Sequence, residues 1–209
     1  PYIAAHYDAT NLDGKAICKA DLQREAGLPQ SRTTPIISAI SRLADQKGFD
    51  LIDLIIEPLL RNHDVQIVIL GTGDQRYHDR LREVQARFPQ QLAVFLTFNA
   101  AQAQKIYAGS DMFLMPSRSE PCGLGQMIAL RYGTIPIVRT TGGLADTVRD
   151  YDPTTGEGNG FTFSSYDSMA LYAAIIRALE TYRHRNIWQQ LMLRGMAADH
   201  SWAASARKY

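Results

Sequence analysis

Short apolar runs alternate with helical segments along most of this chain, and that alternation restricts its possible folds more than any other feature. Six runs have the length and composition of buried strands, and they cover residues 35–40, 65–70, 92–96, 112–115, 135–138 and 160–163. The connections between them are too short for anything but parallel crossovers. The sequence therefore predicts an α/β fold with a doubly wound parallel sheet of about six strands, of the Rossmann-like type.

Apolar residues at helical spacing predict the helices that cover this sheet. The predicted helices span residues 15–25, 49–60, 75–88, 101–107, 125–132, 144–149, 169–180 and 187–196, and Ser201 and Trp202 are predicted to begin another. The chain has 209 residues and shows neither an internal repeat nor a linker. It is therefore predicted to form one domain over residues 1–209, with a sizeable core.

Composition and charge argue against several classes of function. The net charge is +1, so no overall field attracts nucleic acid or an anionic membrane. No apolar run approaches the roughly 20 residues that cross a bilayer, and the first residues lack the pattern of a secretory signal. Cys18 and Cys122 are far apart in the sequence, and reduced thiols are the expectation. We assign no metal ligands and no cofactor from the sequence.

Two neighbouring loops carry residues suited to ligand binding. They follow the strands at 112–115 and 135–138, and in a parallel sheet such loops face the crevice where ligands bind. The first loop contains Gly123, and the second contains Gly142 and Gly143. Backbone amides at these glycines are expected to open toward solvent beside helix N-termini, a geometry that suits phosphate.

An acid and a thiol lie in the first of these loops. From the residues alone, Glu120 could serve only to favour the N-terminus of the helix that follows it. Cys122 could be a nucleophile, but no His lies near it in the sequence. We therefore expect Cys122 to be a small, partly buried residue.

Two cations, Arg42 and Lys47, occupy the loop after the first strand. They precede a helix N-terminus, where the helix dipole disfavours positive charge, so they could be neutralised by a bound anion. They could equally be a pair of solvated surface cations. Their spacing alone does not separate these two cases.

Three motifs in the second half of the chain carry a family resemblance. They are Glu120-Pro-Cys-Gly-Leu124, Tyr132-Gly-Thr-Ile-Pro-Ile-Val138 and Thr141-Gly-Gly-Leu-Ala-Asp-Thr-Val148. In order and spacing they resemble bacterial glycogen synthase and plant starch synthase. The resemblance extends over essentially the whole chain and implies one half of a glycosyltransferase-B architecture, in which two Rossmann-like domains close over a cleft.

This chain resembles the C-terminal, nucleotide-sugar-binding half of that architecture. The other half of the family's enzymes carries a Lys-x-Gly-Gly-Leu loop, and a His and an Asp beside the donor sugar. Those features are not found here, so the chain is expected to be a fragment or a part of a larger protein.

The resemblance also implies roles for individual residues. Arg42 and Lys47 match an Arg and a Lys that contact the nucleotide-sugar phosphates. Glu120 matches a glutamate that binds the donor sugar and stabilises positive charge developing at the anomeric carbon. These three are the predicted catalytic residues. The predicted nucleotide-sugar-binding residues are Phe98 near the adenine, Cys122, Gly123 and Leu124 beside the sugar and phosphates, Thr141, Gly142 and Gly143 at the diphosphate, and Gly71 and Gly73 in a glycine turn.

Some of these residues also fit a purely structural role. Gly71 and Gly73 suit a tight turn equally well, and Phe98 suits a place in the core. Related retaining glycosyltransferases often carry a second glutamate eight positions after the first, where this chain has Ile128. The glycogen and starch synthase branch also tends to lack it, so this departure favours that branch.

The function implied is transfer of glucose from ADP-glucose to the non-reducing end of an α-1,4-glucan, with retention. The isolated chain is expected to be inactive, because the acceptor side is missing. The alternatives are a retaining glycosyltransferase with another donor, such as UDP-glucose, and a non-catalytic nucleotide- or glucan-binding module. The expected partners are ADP-glucose or ADP and, through the other half, the glucan, with no nucleic acid and no membrane. The expected compartment is the cytoplasm of a bacterium, or the plastid of a plant.

Overall fold

The computed structural model describes residues 1–200, which form one parallel sheet covered by helices on both faces. Ser201 and Trp202, where a further helix is predicted, lie outside the described residues. The elements in chain order are α1 (Asp13–Glu25), β1 (Ile36–Ile40), a 3-10 helix (Asp45–Lys47), α2 (Phe49–Asn62), β2 (Gln66–Leu70), α3 (Gln75–Arg87), β3 (Leu92–Phe95), α4 (Ala100–Gly109), β4 (Met112–Met115), α5 (Gly125–Arg131), β5 (Ile135–Arg139), α6 (Gly142–Thr147), β6 (Phe161–Phe163), α7 (Ser168–Tyr182) and α8 (Arg185–Ala197).

The strands lie in the order β3-β2-β1-β4-β5-β6, and every neighbouring pair is parallel. The predicted doubly wound sheet is therefore confirmed. From β1 the chain builds the sheet outward through β2 and β3, and then returns to the other side of β1 with β4. The loops after β1 and β4 consequently lead to helices on opposite faces, and a crevice opens between them.

Apolar packing on both faces of the sheet explains why its strands are nearly continuous apolar runs. All five residues of β2 are buried. One face packs against α2, α3, α7 and α8, with Phe49 and Trp188 among the buried side chains. The other face packs against α4, α5 and α6, and α1 packs on α4; Leu22, Ile106 and Ala129 are buried there.

The structure differs from the sequence-based boundaries by a few residues at helix ends: α1 and α8, like α6, begin two residues before their predicted starts. Helix α6 begins at Gly142, two residues before the predicted start at Leu144. The 3-10 helix was not predicted, since three residues carry no readable periodicity; Gly48 ends it with a left-handed φ of 81°. In the described part of the chain, no helix has the length and apolar character needed to cross a membrane.

A buried ion pair ties α1 to the edge of the sheet where the strands begin. Lys19 Nζ donates to Asp111 Oδ2 over 2.8 Å and to the Tyr182 hydroxyl over 3.0 Å. The same carboxylate oxygen accepts from the backbone amide of Ile36, the first residue of β1, over 2.8 Å. Asp111 immediately precedes β4, so this one carboxylate fixes the starts of both central strands.

We expect Asp111→Asn to lower the free energy of unfolding by about 3–5 kcal/mol, because it leaves a buried lysine without its counter-charge. Urea denaturation of the variant and the parent protein measures this change. Asp79→Asn is the matched control, because Asp79 and its partner Arg82 are both well exposed. Equal, small effects of the two substitutions would show that the Lys19–Asp111 pair contributes no more than a surface pair.

Candidate functional site

The loops after β1 and β4 enclose a cleft of about 310 Å³ at the carboxyl ends of the central strands. Arg42 and Lys47 line it from the β1 side, and Ser117, Glu120 and Leu124 line it from the β4 side. The cleft lies at the reversal of strand order, where open α/β sheets bind their ligands. Four of the predicted site residues are thus brought to one place: Arg42, Lys47, Glu120 and Leu124.

An ion pair between Lys47 and Glu120 crosses this cleft. Lys47 Nζ donates to Glu120 Oε2 over 2.7 Å, and the Ser117 hydroxyl donates to the same oxygen over 3.1 Å. The side chains are 25% and 11% exposed, respectively, so neither is freely solvated. Within residues 1–200, no donor is bonded to the second oxygen, Oε1. The carboxylate is therefore held by one oxygen and has the other available for a ligand.

A glycine turn places Lys47 opposite Glu120. Gly48 has a left-handed φ of 81°, and a Cβ at this position would lie 2.2 Å from the Pro116 carbonyl oxygen. Only glycine permits that conformation at that distance. The turn lets the 3-10 helix pack directly against the end of β4. Sequence reasoning assigned no role to Gly48 or Ser117, although both are close in sequence to residues that were singled out.

Arg42 has a different environment from Lys47. Its guanidinium donates to Gln46 Oε1 over 2.7 Å, within its own loop, and the residue is exposed. Among residues 1–200 it forms no ion pair with a carboxylate. Its positive charge is therefore not neutralised by the protein and remains available to an anion in the cleft.

The loop between β5 and α6 packs against the backbone of the Glu120 loop. A Cβ on Gly143 would lie 1.8 Å from the Cys122 carbonyl oxygen, and one on Gly142, whose φ is 47°, would lie 2.2 Å from the Glu120 carbonyl oxygen. The Gly143 amide donates to the carbonyl oxygens of Glu120 and Pro121 over 3.1 and 3.2 Å. The prediction that this amide opens toward solvent is therefore wrong. The glycines are required for close contact between two backbones.

Gly71 and Gly73 show the same kind of contact with the β1 loop. Cβ atoms at these positions would lie 1.9 Å from the Ser41 carbonyl oxygen and 2.3 Å from that of Leu43. Leu43 also forms an isolated parallel bridge with Gly73. This packing accounts for both glycines, and neither lines the 310 Å³ cleft. A role in binding a nucleotide sugar remains a prediction for them.

Several predicted binding residues are more exposed than the sequence indicated. Phe98 is 89% exposed, so the alternative that places it in the core is wrong. Cys122 is exposed, which contradicts the expectation of partial burial. Leu124 is 67% exposed.

Two other predicted binding residues are less exposed. Gly123 is buried, with a left-handed φ of 70°, and its carbonyl accepts from the Gln126 side chain over 3.0 Å. Thr141, the residue before α6, is half-buried.

A larger groove of about 1010 Å³ lies between α1 and α8, at the opposite edge of the sheet. It is lined by Ile17, Arg32 and Trp188 among others, and by none of the predicted site residues. Residues 1–200 contain no group of three or more His, Cys, Asp or Glu side chains that could hold a metal ion. The β1–β4 cleft remains the site at which opposed charges converge.

Comparison with known proteins agrees with this geometry. The sequence profile of the family described as "Glycosyl transferases group 1" matches residues 23–191. The chain belongs to this family. Both central loops of the cleft lie inside the matched region.

Relatives of this glycosyltransferase chain are similar to it over its whole length. It is 55% identical over 210 residues to a glycogen synthase of Desulforudis audaxviator, covering 100% of the chain and 42% of the relative. It is 52% identical over 207 residues to a glycogen synthase of Kosmotoga olearia, covering 99% of the chain and 43% of the relative. The chain therefore spans less than half the length of these relatives.

A solved structure supports the same placement. The catalytic domain of Starch Synthase IV from Arabidopsis thaliana, bound to ADP and acarbose, superposes with a TM-score of 0.91 at 38% identity. The match covers 100% of this chain and 44% of that one. The predicted Rossmann-like fold of a glycosyltransferase-B half is thereby confirmed.

Proposed function

We propose that this chain is the donor-binding half of a retaining glucosyltransferase that extends an α-1,4-glucan from ADP-glucose. The observation that carries the proposal is the Lys47–Glu120 pair at the reversal of strand order, with Glu120 Oε1 available to a ligand. The glycogen synthases to which the chain is similar, and the starch synthase solved with ADP and acarbose, support this choice of donor and acceptor.

The two cations suit the departing diphosphate. As the bond from the anomeric carbon to phosphate breaks, negative charge grows on the leaving oxygen, and fixed positive charges lower the energy of that state. Arg42 contributes a guanidinium without a carboxylate partner among residues 1–200. Lys47 uses one of its N–H groups on Glu120, so two donors remain for phosphate oxygens.

Glu120 suits the sugar side of the same bond. Its Oε1 can accept from a sugar hydroxyl, and its charge opposes the positive charge that develops at the anomeric carbon. The position eight residues on is occupied by Ile128, which lines the cleft as an apolar side chain. The site thus contains one carboxylate at these two positions, as in the glycogen and starch synthase branch.

Two other functions make different predictions. A glycosyltransferase with another donor would transfer from UDP-glucose in preference to ADP-glucose, and a binding module would transfer from neither. Assaying the full-length protein with both donors and glycogen distinguishes the three cases. We expect incorporation of glucose from ADP-glucose.

We expect Arg42→Ala and Lys47→Ala each to weaken ADP binding by roughly ten- to a hundredfold, because each removes a charge-assisted contact worth about 1.5–3 kcal/mol. Isothermal calorimetry measures the affinity. Arg183→Ala is the control, since Arg183 is an exposed cation beyond the far end of α7. Unchanged ADP affinity in both site variants would show that Arg42 and Lys47 are solvated surface cations.

Glu120→Gln should affect turnover rather than binding. The amide keeps the volume and removes the charge, so we expect turnover of the full-length enzyme to fall by orders of magnitude while ADP affinity stays within a few-fold. That pattern marks an interaction made mainly in the transition state. Steady-state kinetics with ADP-glucose measures it, and normal turnover would remove Glu120 from the catalytic residues.

The isolated 209-residue chain should bind ADP and fail to elongate glucan. Its sheet and cleft are formed by its own residues, whereas catalysis needs closure of a second domain, which orients the acceptor and excludes water. Incubation with radiolabelled ADP-glucose and glycogen tests this. Label entering glucan at a rate near that of the full-length enzyme would contradict the need for a second domain.

A further inference from the structure

Tyr166 lies behind the cleft, in the loop between β6 and α7. Its hydroxyl lies 2.5 Å from Asp50 Oδ1 and 2.9 Å from the backbone carbonyl oxygen of Asp45. Asp45 begins the 3-10 helix that ends at Lys47, and Asp50 lies in the first turn of α2. The hydroxyl therefore contacts both sides of the Gly48 turn that carries Lys47.

A phenol has a single hydrogen, so these two acceptors share it, and the charged, closer Asp50 oxygen forms the stronger bond. Burial, reinforced by the bond to Asp50, raises the pKa of Tyr166 to about 12. The hydroxyl thus remains protonated at neutral pH and continues to donate.

The ring of Tyr166 contacts the loop that carries Glu120. The Arg118 guanidinium carbon lies 4.2 Å from the ring centroid, and the same side chain donates to Asp50 Oδ2 over 3.2 Å. The backbone amide of Arg118 donates to the Gln46 carbonyl over 2.9 Å, which joins the Glu120 loop directly to the Lys47 loop. Tyr166 therefore contacts one loop through its hydroxyl and the other through its ring.

Arg139 adds a connection between the Glu120 loop and the loop of Tyr166 itself. Its guanidinium donates to the carbonyl oxygens of Ser117 and Arg118 over 3.1 and 2.6 Å. It also donates to the Ser164 carbonyl over 3.0 Å, two residues before Tyr166. One side chain thus joins three backbone carbonyls from two loops.

None of Tyr166, Asp50, Arg118 and Arg139 lines the cleft. We propose that Tyr166 is a positioning residue for glucosyl transfer, which holds the Lys47 loop and the Glu120 loop in one fixed relation. This proposal rests on the function proposed above, because it assigns the chemistry to Lys47 and Glu120. Its physical basis is that a reacting group displaced by about 1 Å can lose a hundredfold in rate.

The decisive variant is Tyr166→Phe in the full-length protein, because it deletes the hydroxyl and keeps the ring against Arg118. Tyr172→Phe is the matched control. Tyr172 is another half-buried tyrosine, on α7, and its hydroxyl lies 2.9 Å from His63 Nε2, away from both loops. Tyr166→Leu removes the ring as well.

We expect Tyr166→Phe to lower kcat by about tenfold or more, while the KM for ADP-glucose and the affinity for ADP change less than threefold. The lysine ammonium is a point charge on a flexible stem and still reaches phosphate after a small shift of its loop. Glu120 has a shorter, stiffer side chain on the loop that the Arg118 amide joins to Gln46, so a shift of that loop displaces the carboxylate from the reacting bond. Tyr172→Phe should leave kcat and KM unchanged, and Tyr166→Leu should lower kcat further if it folds.

Amide hydrogen exchange provides a readout that needs no activity. In Tyr166→Phe the Arg118 amide, bonded to Gln46, should exchange faster than in the parent protein, and in Tyr172→Phe it should not. An unchanged kcat in Tyr166→Phe, or an equal fall in kcat for Tyr166→Phe and Tyr172→Phe, would overturn the proposal. If the parent protein transfers no glucose, the proposed function is wrong. In that case, an Arg118 amide that exchanges at the same rate in Tyr166→Phe as in the parent protein would also overturn the claim that Tyr166 holds the Lys47 loop and the Glu120 loop together.

Discussion

The parallel pairing of β1 with β4 is the constraint on which the rest of the structure depends. These strands are distant in sequence, and they meet at Ile37 opposite Met112 and Ser38 opposite Phe113. Their pairing reverses the strand order and sends the next two helices to opposite faces, which opens the cleft. At the other end of the same pair, Asp111 accepts from Ile36 and from Lys19. The buried carboxylate therefore fixes the starts of β1 and β4, and the site lies at the carboxyl ends of the same two strands.

Close contacts between backbones help to shape the walls of the cleft. The loop after β2 meets the loop after β1 at Gly71. The loop after β1 meets the loop after β4 at Gly48, and the loop after β4 meets the loop after β5 at Gly143. At each position a Cβ would lie within about 2 Å of a carbonyl oxygen, which no side chain can tolerate. These contacts set how closely neighbouring loops approach one another. They place a lysine and a glutamate 73 residues apart in sequence at hydrogen-bond distance.

The fold was readable from the sequence because buried parallel strands and amphipathic helices both leave a periodic pattern over many residues. The strands at 112–115 and 135–138, for example, were placed within one residue of β4 and β5. The meeting of Lys47 with Glu120 was not derivable from periodicity, and only the family resemblance brought both residues to one site. The Gly143 amide and Cys122 were wrongly placed for a related reason. Their exposure depends on contacts between loops distant in sequence, which no local pattern records.

Arg42 and Lys47 have different hydrogen-bond partners in the cleft, so they would interact differently with a bound anion. Arg42 has no carboxylate partner within residues 1–200, so its interaction with an anion costs no existing ion pair. Lys47 is already bonded to Glu120, and any phosphate that it binds must share its ammonium with that carboxylate. In the proposed transfer, negative charge arriving at the leaving oxygen would therefore be coupled to the position of Glu120 through one nitrogen atom. An arginine at position 47 would place a planar guanidinium there in place of a compact ammonium. A guanidinium paired with Glu120 would have fewer N–H groups pointing toward a phosphate. The compact ammonium, held on a 3-10 helix that Gly48 ends, suits the proposed role, in which it would bind Glu120 and a phosphate at once.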